Sequence, residues 1–100
     1  MPTKAEKHWM DSICQLGCIV CILTGKGKSP AEPHHMLSGG RRMGHMFTIP
    51  LCPTHHRSGR DDDEVTSRDQ SQRRFEKRYG TEQYLLAKTR EFVSRMRMAA

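Results

Sequence analysis

Two short ligand spacings, Cys18-x-x-Cys21 and Cys52-x-x-His55, lie thirty residues apart and constrain this chain more than any other feature. A two-residue spacer in a tight turn lets both side chains reach one ion, and two such turns complete a tetrahedral Zn²⁺ site of Cys₃His type. Five of the six His and three of the four Cys fall between Cys18 and His56, more than a core needs. Two other readings compete: ordinary buried thiols, or a redox pair. The redox reading requires the Cys pair to open a helix within a βαβ pattern, which the flanking sequence lacks. Cys14, a helical turn earlier, reads as a buried thiol, with fourth-ligand duty as the alternative.

A metal also answers a shortage. One hundred residues leave room for one small domain, and Leu, Ile, Val and Phe together number sixteen, below the roughly 20% at which disorder enters consideration. The net charge is +6 and the mean hydropathy −0.76. Either the chain is partly disordered or something besides apolar burial holds it, and small domains in that position use disulfides or a metal. No apolar run approaches the roughly 20 residues of a membrane span, and no apolar segment follows the first eight residues as in a signal peptide. The expectation is an intracellular, cytoplasmic protein, where thiols favour metal over disulfides. The basic balance points to nucleic acid. A membrane surface fits less well because the charge is spread: residues 1–56 carry six basic and three acidic side chains, residues 57–100 eleven and eight.

The pattern predicts an α+β protein. Residues 4–16 read as a helix with Trp9, Ile13 and Leu16 on one face and Gly17 as its stop. Extended runs over residues 31–37 and 47–51 flank a Gly-rich loop and suggest a hairpin, and Pro53 suits the first turn of a helix carrying His55 and His56. Residues 60–68, centred on Asp61-Asp62-Asp63-Glu64, read as a solvated charged connector or helix start. A helix follows over 69–79, with Phe75 and Tyr79 on one side and Gly80 closing it. Thr81 then caps a last helix whose stripe of Leu85, Leu86, Thr89, Phe92, Val93 and Met96 reads as core. On this reading zinc stabilises the core-poor first half, so chelation is expected to unfold that half before the C-terminal helices.

With four ligands assigned, His34, His35, His45 and His56 remain. A closed structural zinc site leaves no catalytic position, so they need a separate account. Adjacent side chains on a strand point to opposite faces, giving His34 and His35 different roles, and a hairpin crossed by a helix can bring His35, His45 and His56 around one cleft. Exposed or merely structural His are the alternative.

Cys18-x-x-Cys21, His34-His35, the Gly-rich loop and Ile49-Pro50-Leu51-Cys52-Pro53-Thr54-His55-His56-Arg57 together resemble an HNH, or ββα-metal, endonuclease with a zinc-stapled knuckle. More narrowly, Pro33-His34-His35 through Leu51-Cys52-Pro53-Thr54-His55-His56, with the later Arg74-Phe75-Glu76-Lys77-Arg78-Tyr79-Gly80 run, is similar to the phage and prophage family of Ref-like RecA-dependent nucleases. The match covers roughly residues 13–95. It implies one HNH-type domain over residues 1–100, with a zinc-stapled ββα core about 18–60 and C-terminal helices about 69–97.

The resemblance also implies roles. His35 matches the general base that activates water, and His34 and His56 match ligands of a catalytic divalent metal, Mg²⁺ or Mn²⁺. His45 falls where the wider family carries Asn and Ref-like chains Asp. As a catalytic-site residue it could bind metal or hold a backbone group, but it cannot supply the charge of Asp. Arg41, Arg42 and Arg57 flank the cleft and can contact phosphates without reading sequence. The implied function is DNA cleavage in recombination by a monomer encoded by a phage or prophage in a bacterial host, with the RecA filament as a partner. The alternative is a non-catalytic zinc-ribbon nucleic-acid-binding or recombinase-adaptor protein.

Overall fold

A computed structural model describes residues 1–58, 61–62 and 64–99, and the part of the acidic run at Asp63 and the connector start at Arg60 lie outside them. The element order is α1 (Lys4–Leu16), α2 (Ile19–Leu23), β1 (Glu32–His35), β2 (Leu37–Ser38), β3 (Arg41–Arg42), β4 (Thr48–Leu51), α3 (Pro53–His56), α4 (Gln72–Tyr79) and α5 (Glu82–Ala99). The α+β expectation agrees with this order.

Helix α1 starts at a capping box in which the Thr3 side chain accepts from Glu6 N–H and the Glu6 carboxylate accepts from Thr3 N–H. Those reciprocal bonds satisfy donors that a helix start otherwise leaves unpaired. It ends at Gly17, whose φ of +93° belongs to the region that favours glycine, and a Cβ there would sit 2.8 Å from the Ser29 carbonyl oxygen. The close approach brings Cys18 N–H to Ser29 O at 3.1 Å and sets Cys18 at the mouth of the first ligand pair. The Cys18 to Cys21 segment is more than a turn: Cys18 caps the short helix α2, and Cys21 lies within it.

Strands β1 and β4 pair antiparallel, with His34 opposite Ile49 and His35 opposite Thr48. The Gly-rich segment between them folds into a small hairpin of its own, β2 against β3. Helix α3 follows β4 after one residue, with Pro53 in its first turn, where a missing N–H costs nothing. The connector departs from a solvated linker. Val65, Thr66 and Ser67 are buried, because the chain here turns back onto α3: Ser67 Oγ donates to Thr54 O, Arg68 N–H to His55 O and Asp69 N–H to His56 O. The last carbonyls of α3 thus gain partners that the one-turn helix cannot supply itself.

Trp9, Ile13, Ile19, Val20, Met36, Ile49, Leu51, Phe75, Leu85, Leu86 and Val93 form one buried cluster that also contains Cys18, Cys21 and Cys52. Helix α5 packs on α1, α2 and β4. The two halves therefore share one core, which removes the basis for expecting the first half to unfold alone. No helix among the described residues is long and apolar enough to cross a membrane.

Candidate active site

Both ligand pairs arrive at one point. Cys18, Cys21, Cys52 and His55 are all buried, and their ligating atoms lie within 4.8 Å of one another. His55 Nδ1 stands 3.6, 3.5 and 3.2 Å from the sulfurs of Cys18, Cys21 and Cys52, and the sulfurs of Cys21 and Cys52 are 3.9 Å apart. With Zn–S about 2.3 Å and Zn–N about 2.0–2.1 Å, tetrahedral edges are roughly 3.8 Å for S···S and 3.5 Å for N···S. The measured edges fit, and Cys21 N–H donates to Cys18 Sγ at 3.5 Å, as a ligating thiolate would accept.

The electrostatics run the same way. Burial, with the neighbouring thiols of Cys52 and Cys21 adding to it, pushes the Cys18 thiol up to about 12, against backbone hydrogen bonds that favour the thiolate. Burial, with Lys26 and Arg78 nearby, pushes His55 down to about 4. Burial thus penalises the thiolate at Cys18 and keeps His55 a neutral, lone-pair-bearing imidazole, and a divalent cation would offset the cost of the buried thiolate charge. The cluster is compatible with structural zinc, and it is the one group of three or more ligating side chains found among the described residues.

The four other His between Cys18 and His56 fall into two pairs on opposite faces of β1, as strand alternation requires. On one face, His34 Nδ1 lies 3.2 Å from His56 Nε2. On the other, His35 Nε2 lies 3.0 Å from His45 Nδ1. The expected grouping of His35, His45 and His56 is thus redistributed: His56 meets His34, because consecutive residues on α3 point roughly 100° apart and His55 takes the inward direction.

Each pair has a support. Trp9 Nε1 donates to Thr48 Oγ1 at 2.9 Å, and Thr48 Oγ1 donates to the His45 carbonyl at 2.9 Å, so α1 and β4 together hold His45 against His35. His34, 6% exposed, meets Glu82 at 2.9 Å from Nε2. His56 Nδ1 meets Glu32 Oε1 at 2.6 Å. Arg68 Nε also donates to Glu82, and Arg57 donates to both oxygens of Glu32. Burial pushes the Glu82 carboxyl up, but the hydrogen bonds from His34 and Arg68 outweigh it and leave the group below the usual carboxylate range. Arg57 and then His56 hold Glu32 low as well. Burial, Arg42, His45 and His34 all lower His35, so its neutral form dominates at pH 7.

Arg41 and Arg42 are exposed on β3 with no ion pair among the described residues, whereas Arg57 is engaged by Glu32. Cys14, expected as a buried thiol or a fourth ligand, is neither: it lies on the exposed face of α1, and His55 completes the cluster without it. Glu32, Glu82 and Arg68 escaped the sequence reading. Glu32 was within reach, since it shares a strand face with His34 two residues on, but nothing local links Glu82 to a histidine forty-eight positions away.

Architecture and ligand cluster together define a small α+β protein with a Cys₃His cluster that could bind zinc. A family model described as "Recombination enhancement, RecA-dependent nuclease" matches residues 2–94, and the chain belongs to that family. No curated protein matches it. Membership supports a nuclease role in recombination.

Proposed function

We propose that this chain is a DNA endonuclease of HNH, or ββα-metal, type, acting in recombination together with a RecA filament. One observation carries the reading: two His pairs stand on opposite faces of one strand, beside a separate, closed Cys₃His cluster that accounts for His55 but for none of them. A purely structural zinc ribbon has no use for four further His, two of which, His34 and His56, are braced by the carboxylates of Glu82 and Glu32. The β1, β4 and α3 segments supply the ββα core, within a single domain spanning residues 1–100.

His35 is the general base. When its Nε2–H donates to His45 Nδ1, its own Nδ1 keeps a lone pair for the proton of an attacking water. The water oxygen bonds to phosphorus, the bond from phosphorus to the 3′ oxygen breaks, and His35 carries the water proton away. His45 fixes the ring and so orients the base. It takes the place of the Asn or Asp of related chains without their geometry or charge.

His34 Nδ1 and His56 Nε2 lie 3.2 Å apart, within the roughly 3.0–3.4 Å expected of two nitrogens about 2.1 Å from one ion. A divalent ion bound there, Mg²⁺ or Mn²⁺, would neutralise charge developing on the phosphate and the leaving oxygen. Arg41 and Arg42 hold the backbone of the strand through its phosphates.

The test is a cleavage assay on circular single-stranded and displacement-loop DNA, with and without RecA and ATP, in Mg²⁺, Mn²⁺ and no added divalent ion. Divalent-dependent cleavage that RecA stimulates is expected. DNA binding without strand scission in every condition would favour the non-catalytic adaptor reading.

A further inference from the structure

The two carboxylates beside the His34 and His56 pair do more than fill space. Glu82 Oε2 receives Arg68 Nε at 2.9 Å and contacts His34 Nε2 at 2.9 Å. Guanidinium groups only donate, so this oxygen is an acceptor, and His34 Nε2 must carry a proton. Glu32 Oε1 receives Arg57 Nε at 2.6 Å and contacts His56 Nδ1 at 2.6 Å, and the same logic puts a proton on His56 Nδ1. The result is a near-symmetric relay: Arg68, Glu82, His34, then His56, Glu32, Arg57.

A neutral imidazole has one N–H, and both are spent on the carboxylates. The two nitrogens left, His34 Nδ1 and His56 Nε2, face each other at 3.2 Å with lone pairs directed into the same space. With both rings neutral, such an arrangement is favourable only when a cation lies between them; a proton shared as an N–H···N bond is what a metal ion would displace. We propose that Glu32 and Glu82 are positioning residues that hold the imidazole protons on the far nitrogens, turning the facing lone pairs into a ready-made seat for one divalent cation.

This rests on the nuclease reading only for the role of His34 and His56. It extends that reading in two ways. Arg57 acts by bracing Glu32 rather than by gripping DNA. Glu82, the first residue of α5, makes the C-terminal helix part of the metal seat. Carboxylates behind ligating imidazoles typically contribute 10- to 100-fold to metal affinity.

The test uses the full zinc-loaded chain and Mn²⁺ binding followed by water-proton relaxation. It adds long-range ¹H–¹⁵N correlation of the imidazole nitrogens with and without Mg²⁺. The wild-type protein should show His34 protonated at Nε2 and His56 at Nδ1 in both states. Glu82→Ala and Glu32→Ala should each weaken Mn²⁺ binding 10- to 100-fold, and Glu82→Gln, which retains an acceptor oxygen, should recover part of the loss. Glu32 lies near the surface, so Glu32→Ala carries the test if Glu82→Ala fails to fold. Either far nitrogen found unprotonated, or Mn²⁺ affinity within twofold of wild type in Glu32→Ala, overturns the proposal. Correct protonation and Mn²⁺ loss without any DNA cleavage would instead overturn the nuclease reading and leave this one standing.

Discussion

His55 and His56 are neighbours in the chain and belong to different centres. The first joins three thiols in a cluster where all four residues are buried. The second reaches across to β1, meets another imidazole, and is braced by a carboxylate that remains partly in contact with solvent. The first centre is closed and soft, all sulfur and nitrogen, suited to holding a fold together. The second has two nitrogens with carboxylates behind them, and two protein ligands would leave coordination positions for water and phosphate oxygens. Adjacent positions on a one-turn helix thus face two different clusters, and the same division repeats on β1, where His34 and His35 point to opposite faces.

The sharpest way to break this contrast is to remove the first centre. Stripping zinc with a strong chelator, or replacing Cys52 with Ser, should abolish the folded state, because structural zinc contributes on the order of 10 kcal/mol in small domains. Circular dichroism should show one cooperative loss that includes α5, since the cluster and the C-terminal helices share a core. A surviving C-terminal helical signal would separate the halves again. A cavity made one aromatic ring away from His55, at Phe75 against Tyr79, gives the next largest effect. Phe75→Ala removes a fully buried ring and should lower stability by about 3–5 kcal/mol, with faster zinc release to a competing chelator as the readout of coupling.

Smaller effects sharpen the second centre. Arg41→Ala and Arg42→Ala should each weaken DNA binding without changing sequence preference and lower the salt slope by about one. Thiol counting distinguishes the sulfur atoms themselves. With zinc bound, one of the four Cys should react with a maleimide, Cys14, and chelation should release the other three. Partial desolvation and the neighbouring Asp11 hold the exposed Cys14 thiol above its ordinary value, so its labelling rate should rise as pH increases past 8. Asp11→Asn lowers that pKa and should speed labelling at fixed pH.

Much of this was legible beforehand. Helix α1, the paired strands around a Gly-rich loop, the Pro53 helix start and the two C-terminal helices all follow from local periodicity and stop signals, and the four-ligand cluster follows from spacing. The Val65-Thr66-Ser67 segment misled, because a charged connector suggests solvent and only the need of α3 for carbonyl partners brings it inward. Arg57 looked free for phosphate, yet its partner Glu32 lies twenty-five residues away across the hairpin. Glu82 was invisible for the same reason: a carboxylate that braces a histidine from another element leaves no periodic trace.

On the proposed function, the chemistry at His35 is separable from the fold that the Cys₃His cluster helps to hold. The direct measurement is the nicking of circular DNA in Mn²⁺ by wild-type and His35→Ala proteins, each carrying one zinc and each melting at the same temperature. Loss of a general base should slow nicking by roughly 10²- to 10⁴-fold with zinc content and melting unchanged. Equal nicking rates in the two proteins would contradict it.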